Sequence, residues 1–264
     1  TRLGSVAAAA VYSLSPVYIF KLSIGYSMIG GVFVYAPWVL LFFIAGLMQA
    51  RAFYAAVSGL LLGLIVLRGE AHVIVALGAL LIFWAIYDMV ANKRIRALVL
   101  SIICFAMAFF VSSIKILPYV EHLGSEPVKL RPYVALLNQK NLLFETLFQI
   151  NADHDTVPVL HGKFGEEWGV FGSYVGYVPI ILACFGLFAA KRYRFGLGVL
   201  LVVSLLLAEG TLYEYALRFI PPFDALLRMP VRNMLLVVLC IAVLAARGTD
   251  QLLNYVKIHQ IKYI

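Results

Sequence analysis

Charged residues are scarce in this sequence of 264 residues. Asp, Glu, Lys and Arg make up 13% of the chain, whereas a soluble domain carries about 25%. So few charges cannot cover a water-facing surface, which excludes an ordinary soluble globular domain. Apolar residues account for 63% of the chain, and the mean hydropathy is +0.96. The composition therefore indicates a protein whose side chains face lipid.

Cysteine is also rare, and sequence motifs of common soluble enzymes are missing. The three cysteines, Cys104, Cys184 and Cys240, all lie inside apolar blocks. An odd number at membrane depth argues against a disulfide framework and against a tetrahedral metal site, so we interpret them as packing residues. The sequence contains no Ser/His/Asp motif, Walker loop, dinucleotide fingerprint or CxxC pair.

The apolar residues fall in blocks close to the length that crosses a bilayer, about 20 residues. Uninterrupted runs such as Leu60–Leu67 lack the polar alternation of barrel strands, so the blocks predict helices. We therefore expect an all-α integral membrane fold, a polytopic bundle of about eight transmembrane helices. The predicted spans are Gly4–Phe20, Met28–Met48, Phe53–Leu67, His72–Ala91, Ala97–Leu117, Ser173–Ala190, Phe195–Ala208 and Asn233–Ala246.

Charge placement predicts the orientation of these spans in the cell membrane. The short loops Asn92–Arg96 and Lys191–Arg194 each carry three basic residues, which marks them as cytoplasmic. Both ends of the chain then lie in the cytoplasm. The basic residues cluster beside spans without a binding motif, so they imply no nucleic-acid partner. Because the first residue is Thr1 and no charged signal region precedes the spans, we expect a piece of a longer protein.

This orientation divides the chain into three parts. Residues 1–118 hold five spans, 119–172 form a long outward loop, and 173–264 hold three spans with a second outward loop at 209–232 and a cytoplasmic tail. The apolar spacing in Tyr133–Ile150 and Leu212–Ile220 predicts helices lying flat on the membrane surface. Such helices suit either an enzyme for lipid-tethered substrates or a transporter.

Two arginines flank the start of the last span. Arg228 and Arg232 enclose Pro230, which fits the first turn of a helix. Free N–H groups and the positive end of the helix dipole attract anions there, and arginine adds bidentate donors for a phosphate. Arg131 is a third candidate for the same phosphate. The alternative is that the arginines reach lipid headgroups and only anchor the helix.

Two further groups of polar residues are candidate sites on the outward side. Asp153 and Asp155 form an Asp-x-Asp pattern, whose oxygens suit Mg²⁺ or Mn²⁺, although a merely solvated loop gives the same pattern. Glu70 and His72 open a span, and Glu121 follows another. Ionisable residues there can line a polar site, or they can cap a helix or face water.

Several short motifs occur in order along the chain. The most specific is Leu212-Tyr213, then Ile220-Pro221-Pro222-Phe223, then Leu227-Arg228-Met229-Pro230-Val231-Arg232. Together they resemble the "L-Y … P-x-F … F-R-x-P-x-R" of multi-spanning proteins of the GT-C glycosyltransferase superfamily, especially the YfhO-like group. Other segments that resemble this group are Arg2–Pro16, Gly25–Trp38, Gly63–His72, Leu117–Glu121, Tyr174–Pro179 and Ala245–Leu253.

The resemblance implies a GT-C-like bundle that transfers a sugar from a polyprenyl-phosphate-linked donor on the outer face of the membrane. It aligns Arg228 and Arg232 with the paired arginines of the group. In that family the essential acid lies in the first outward loop, which precedes the matched region, so no residue here inherits the catalytic role. Two alternatives stay open: a non-catalytic accessory subunit of a larger membrane complex, and a lipid or solute transporter.

Overall fold

The computed structural model describes residues 1–15, 19, 27–69, 71–93, 95–125, 175–189, 194–209 and 233–261. These residues form eight helices, and none of them lies in a strand. The all-α prediction is confirmed for this part of the chain. The helices are α1 Arg2–Ser13, α2 Ser27–Gln49, α3 Ala52–Arg68, α4 Ala71–Asn92, α5 Arg96–Ser125, α6 Tyr177–Ala189, α7 Arg194–Glu209 and α8 Met234–Ile261.

Three of these helices are long and apolar enough to cross a membrane. Their qualifying segments are Val32–Gln49, Arg96–Pro118 and Met234–Val256. Helices α3, α4, α6 and α7 contain shorter apolar stretches of 10–17 residues. The membrane assignment is supported by these three segments. Each of the eight predicted spans overlaps a described helix, but only three of the described helices have the length and hydropathy to cross a membrane.

Three helices end far from their predicted limits. Helix α1 ends at Ser13, whereas the apolar pattern predicted a span to Phe20. Helix α5 continues through Pro118 to Ser125, beyond the predicted start of the outward loop. Helix α8 runs to Ile261, fifteen residues beyond the predicted end at Ala246. In α5 and α8 the helix continues beyond the end of the apolar block, because polar residues end a hydrophobic run without ending a helix.

The helices divide into two compact units, of which the first contains α2, α3, α4 and α5. Close packing between α3 and α5 depends on a Gly-x-x-x-Gly pair. A Cβ on Gly59 would overlap the carbonyl oxygen of Cys104, and one on Gly63 would meet the Ala108 carbonyl oxygen at 2.9 Å. Small residues let helix backbones approach in this way where lipid offers no hydrophobic driving force. The contacts rise together along both helices, so α3 and α5 run parallel.

Helix α2 packs against α3 in an antiparallel hairpin. The turn uses Ala50, whose φ is +56°, and the N–H of Arg51 donates to the Gly46 carbonyl oxygen. The four residues between the predicted spans Met28–Met48 and Phe53–Leu67 require such a tight hairpin. Deeper in the unit, the buried Ser58 hydroxyl donates to the Val39 carbonyl oxygen at 2.8 Å. The hydroxyl therefore gives two packed helices a polar link that needs no water.

The second unit contains α1, α6, α7 and α8. Every residue from Asn233 to Ala242 is buried, so the first turns of α8 are enclosed on all sides. Gly186 of α6 lies against the Leu244 carbonyl oxygen, and Gly248 of α8 lies against that of Leu182. Each helix thus has a glycine at the point where the backbone of the other helix approaches most closely. A helix apolar on all faces belongs at the centre of a bundle, and α8 has that place in its unit.

Large apolar side chains cover much of the described surface. Phe110 and Ile114 of α5 are 75% and 77% exposed, and Phe188 of α6 is 75% exposed. Soluble monomers rarely expose continuous apolar patches of this kind. The exposed faces therefore fit contact with lipid chains, in agreement with the three candidate spans.

Candidate functional site

In the unit of α2–α5, a lysine of one helix caps the C-terminus of another helix. The ammonium of Lys115, on α5, donates to the carbonyl oxygen of Leu67 at 2.8 Å. Leu67 is the last residue but one of α3, and its carbonyl has no partner within the helix. A positive charge at a helix C-terminus also complements the negative end of the helix dipole. Lys115 is thus fixed by one hydrogen bond while its side chain stays exposed.

Gly69 completes this helix end. Its φ is +92°, and its N–H donates to the Val66 carbonyl oxygen at 3.0 Å. Glycine adopts such a left-handed cap without steric cost. The preceding residue, Arg68, is exposed and makes no hydrogen bond or ion pair with any described residue. We call Arg68, Gly69 and Lys115 the α3-end cluster; it presents two cations beside a helix terminus.

In the other unit, a buried amide side chain lies beside the end of a helix. Asn233, immediately before α8, is 1% exposed. Its Nδ2 donates to the carbonyl oxygen of Leu207 near the end of α7, at a long 3.4 Å. Its Oδ1 has no hydrogen-bond partner among the described residues. A buried acceptor without a donor is costly, so this amide is the clearest orphaned polar group in the described part of the chain.

Helix α7 is also joined to α8 by a second polar contact. The buried side chains of Ser204, on α7, and Cys240, on α8, lie close to each other. Together with the Asn233–Leu207 bond, this contact shows that α7 and α8 run antiparallel. The amide of Asn233 is therefore held where the end of α7 meets the start of α8.

Most of the residues predicted to form the site lie outside the described residues. This applies to the proposed phosphate ligands Arg228, Arg232 and Arg131, to Asp153 and Asp155, and to Glu70. The predicted surface helices Tyr133–Ile150 and Leu212–Ile220 lie outside them as well.

Two predicted residues of the outward polar group do fall within helices. His72 is the second residue of α4, and Glu121 is an exposed residue near the end of α5. Within the described ranges, no group of three His, Cys, Asp or Glu side chains is arranged to hold a metal. The predicted Mg²⁺ or Mn²⁺ site stays a prediction, since both of its aspartates lie outside these ranges.

Sequence reasoning did not assign a role to Asn233 or to the contact between Lys115 and Leu67. A lysine near the end of an apolar run was visible in the sequence, but its partner was a backbone carbonyl 48 residues away. Asn233 was treated only as the first residue of a span. Both roles depend on which helices pack together, and the apolar pattern does not contain that information.

No protein-family model, curated protein or solved structure matches this chain.

Proposed function

We propose that this chain belongs to a GT-C-like membrane glycosyltransferase that transfers a sugar from a polyprenyl-phosphate-linked donor at the outer face of the membrane. In this proposal Arg228 and Arg232, with Arg131, bind the donor's phosphate. The acceptor hydroxyl loses its proton to a base, its oxygen bonds to the anomeric carbon, and the bond from that carbon to the phosphate breaks. We assign the role of base to no residue of this chain.

The burial of the start of α8 is the observation that carries the proposal. Arginines that only reach lipid headgroups are expected at spans on the periphery of a bundle. Arg232 instead comes directly before Asn233, the first of ten consecutive buried residues. A helix that begins inside the protein favours a role for the preceding arginines in binding a ligand over a role in anchoring the helix.

The orphaned Oδ1 of Asn233 gives separate support. It is an acceptor that has no donor among the described residues, one position after Arg232 in the sequence. The hydroxyl groups of a sugar are donors of the required kind. We therefore include in the proposal a hydrogen bond from a sugar hydroxyl of the donor to Asn233.

The proposal includes eight membrane crossings with both chain ends in the cytoplasm. Helix directions support the alternation: α2 and α3 are antiparallel, α3 and α5 parallel, and α7 and α8 antiparallel. A helix of 17 residues such as α3 is about 25 Å long, slightly less than the roughly 30 Å hydrocarbon core. Local thinning of the bilayer accommodates such helices at modest cost.

Donor binding by arginine variants tests the proposal. The protein is reconstituted in nanodiscs, and binding of a polyprenyl-phosphate-linked sugar is measured for the wild type, for Arg228→Gln/Arg232→Gln, and for Arg247→Gln. Arg247 is an exposed cation on α8 itself and serves as the matched control. We expect the double variant to bind at least about tenfold more weakly, since each lost charge-assisted hydrogen bond costs about that factor.

The Arg247→Gln variant controls for the loss of an arginine charge elsewhere on α8. Arg247→Gln should bind the donor as the wild type does, and circular dichroism should show the same helix content in all three proteins. Equal donor affinity in the double variant and the wild type would remove the phosphate role and favour an accessory subunit or a transporter.

A further inference from the structure

The α3-end cluster has the features of a binding site for an anion, and this interpretation does not depend on the proposed function. Lys115 lies within the candidate span Arg96–Pro118, one turn before its end. Its ammonium has three donors, and the structure uses one of them, on the Leu67 carbonyl oxygen. An exposed cation at the edge of a hydrocarbon core is stabilised by an anion close to it.

Arg68 adds a second cation at the same helix end. Lys115 binds the carbonyl of Leu67, the residue directly before Arg68. Arg68 is exposed and has no partner among the described residues, so its planar fork of donors is open to a ligand. Within those residues the cluster contains no carboxylate bound to either cation.

The described acid nearest to Lys115 on α5 lies farther along that helix. Glu121 follows Lys115 by six residues, about 9 Å along the helix axis, and it lies beyond the end of the candidate span at Pro118. It does not form an ion pair with Lys115. Among the described residues, the charge at this edge of the span is therefore positive.

Helix α5 carries an exposed apolar face beside the face that holds Lys115. Phe110, Ile114 and Leu117 are spaced by four and three residues, so they share one face of α5. They are 75%, 77% and 59% exposed. Ile114 lies about 100° around the helix from Lys115. Pro118, three residues after Lys115 and four after Ile114, is exposed and lies between these two positions. Cations at the edge of a span above an exposed apolar face match the two parts of a phosphate-bearing lipid.

We propose that Lys115 and Arg68 bind the phosphate of an anionic lipid whose hydrocarbon chain lies along Phe110, Ile114 and Leu117. Lys115 supplies a point charge that the Leu67 carbonyl holds in position, and Arg68 supplies the bidentate fork. The occupant is a lipid rather than free phosphate. A free ion would contact only the cations, whereas the hydrocarbon chain of a lipid also covers the exposed apolar face of α5.

Native mass spectrometry of the full protein tests this site. Protein is released from nanodiscs that contain phosphatidylglycerol, a polyprenyl monophosphate or neutral phosphatidylcholine, and the retained lipid is counted. The variants are Lys115→Gln, Arg68→Gln, their combination, and Lys115→Arg, which keeps both the charge and a donor. Arg51→Gln is the matched control, since Arg51 is an exposed arginine at the opposite end of α3 without a side-chain capping bond.

We expect retention of phosphate-bearing lipids to fall at least about tenfold in the combined variant, since each lost charge-assisted hydrogen bond costs about that factor. Lys115→Arg and Arg51→Gln should retain lipid as the wild type does. Preferential retention of the polyprenyl monophosphate would identify a substrate-like lipid, and equal retention of both would identify bulk phospholipid; both results support the site.

Three results would overturn the proposal. The first is unchanged retention in the combined variant with helix content preserved, which would limit Lys115 to capping α3. The second is an equal loss in Arg51→Gln, which would indicate a general effect of net charge. The third is complete displacement of the lipid by inorganic phosphate, which would indicate a free-anion site. None of these variants changes Arg228 or Arg232. A negative result for the lipid site therefore does not bear on the transferase proposal, which the donor-binding experiment tests separately.

Discussion

The Lys115 ammonium lies 2.8 Å from the carbonyl oxygen of Leu67, so a side chain of α5 closes the end of α3. The Asn233 amide does the same for Leu207 at the end of α7, over 3.4 Å. Both closed helices are short, with 17 and 16 residues. In a bilayer the ends of short helices approach the hydrocarbon region, where water is not available for their carbonyls. Neighbouring helices then provide the missing donors.

Replacing Gly69 tests the helix cap beside Lys115. Gly69→Ala should destabilise the protein by about 1–2 kcal/mol, because alanine is strained at a φ of +92°. Its Cβ would also meet the Lys115 Nζ at 2.8 Å. Gly69→Asn should cost less, since asparagine tolerates the left-handed region. The free energy of unfolding in mixed micelles measures both. Equal stability of the alanine variant and the wild type would exclude this cap.

Replacing Gly59 tests the packing of α3 on α5. In Gly59→Ala the new Cβ would overlap a backbone oxygen, that of Cys104, which cannot rotate away. We expect a loss of about 1–3 kcal/mol in the free energy of unfolding. Gly78→Ala is the control, because its Cβ would meet only the Phe105 ring at 3.8 Å. That variant should be neutral or slightly stabilised. A ranking in the opposite order would refute the close approach of α3 and α5.

Replacing Gly248 tests the crossing of α6 and α8. Gly248→Ala places a Cβ on the Leu182 carbonyl oxygen, and Gly186→Ala does the same at Leu244. Each should cost about 1–3 kcal/mol. The double variant should cost less than the sum, because one separation of the helices relieves both overlaps. Gly198→Ala, with only a 3.6 Å contact to Leu187, should leave the melting temperature in detergent unchanged. Strict additivity would contradict a shared crossing.

Replacing Asn233 separates stability from ligand binding. Asn233→Leu removes a long hydrogen bond and also an unpaired acceptor, so stability should change by no more than about 1 kcal/mol. Asn233→Asp buries a charge and should destabilise more. If the amide binds a sugar hydroxyl, the leucine variant should bind the donor more weakly while unfolding at the same temperature. Unchanged donor binding would assign Asn233 to the α7–α8 contact alone.

The sequence predicted where helices occur because apolar blocks mark them directly. Met28–Met48 was expected for α2, and the helix is Ser27–Gln49. The hairpin at Ala50 followed from the very short polar interval between two blocks. Such features depend only on neighbouring residues, so the hydrophobic pattern is sufficient to find them.

Contacts between helices could not be predicted in the same way. The extension of α8 past Ala246 places Asp250 against the start of α1, where its carboxylate accepts a hydrogen bond from the Thr1 hydroxyl. The polar residues after Ala246 were interpreted as the end of a span, because their partner on another helix was unknown. The roles of Lys115 and Asn233 were missed for the same reason. Polar groups in a helical bundle acquire their functions from the helix opposite them.

We propose above that the arginines before α8 hold the phosphate of a lipid-linked sugar. A cryo-electron microscopy structure in nanodiscs with a polyprenyl-phosphate-linked sugar tests it most directly. We expect density for the donor's phosphate within hydrogen-bond distance of Arg228 and Arg232, with a sugar hydroxyl near Asn233. Donor density bound elsewhere, with both arginine side chains among bulk lipid headgroups, would contradict it.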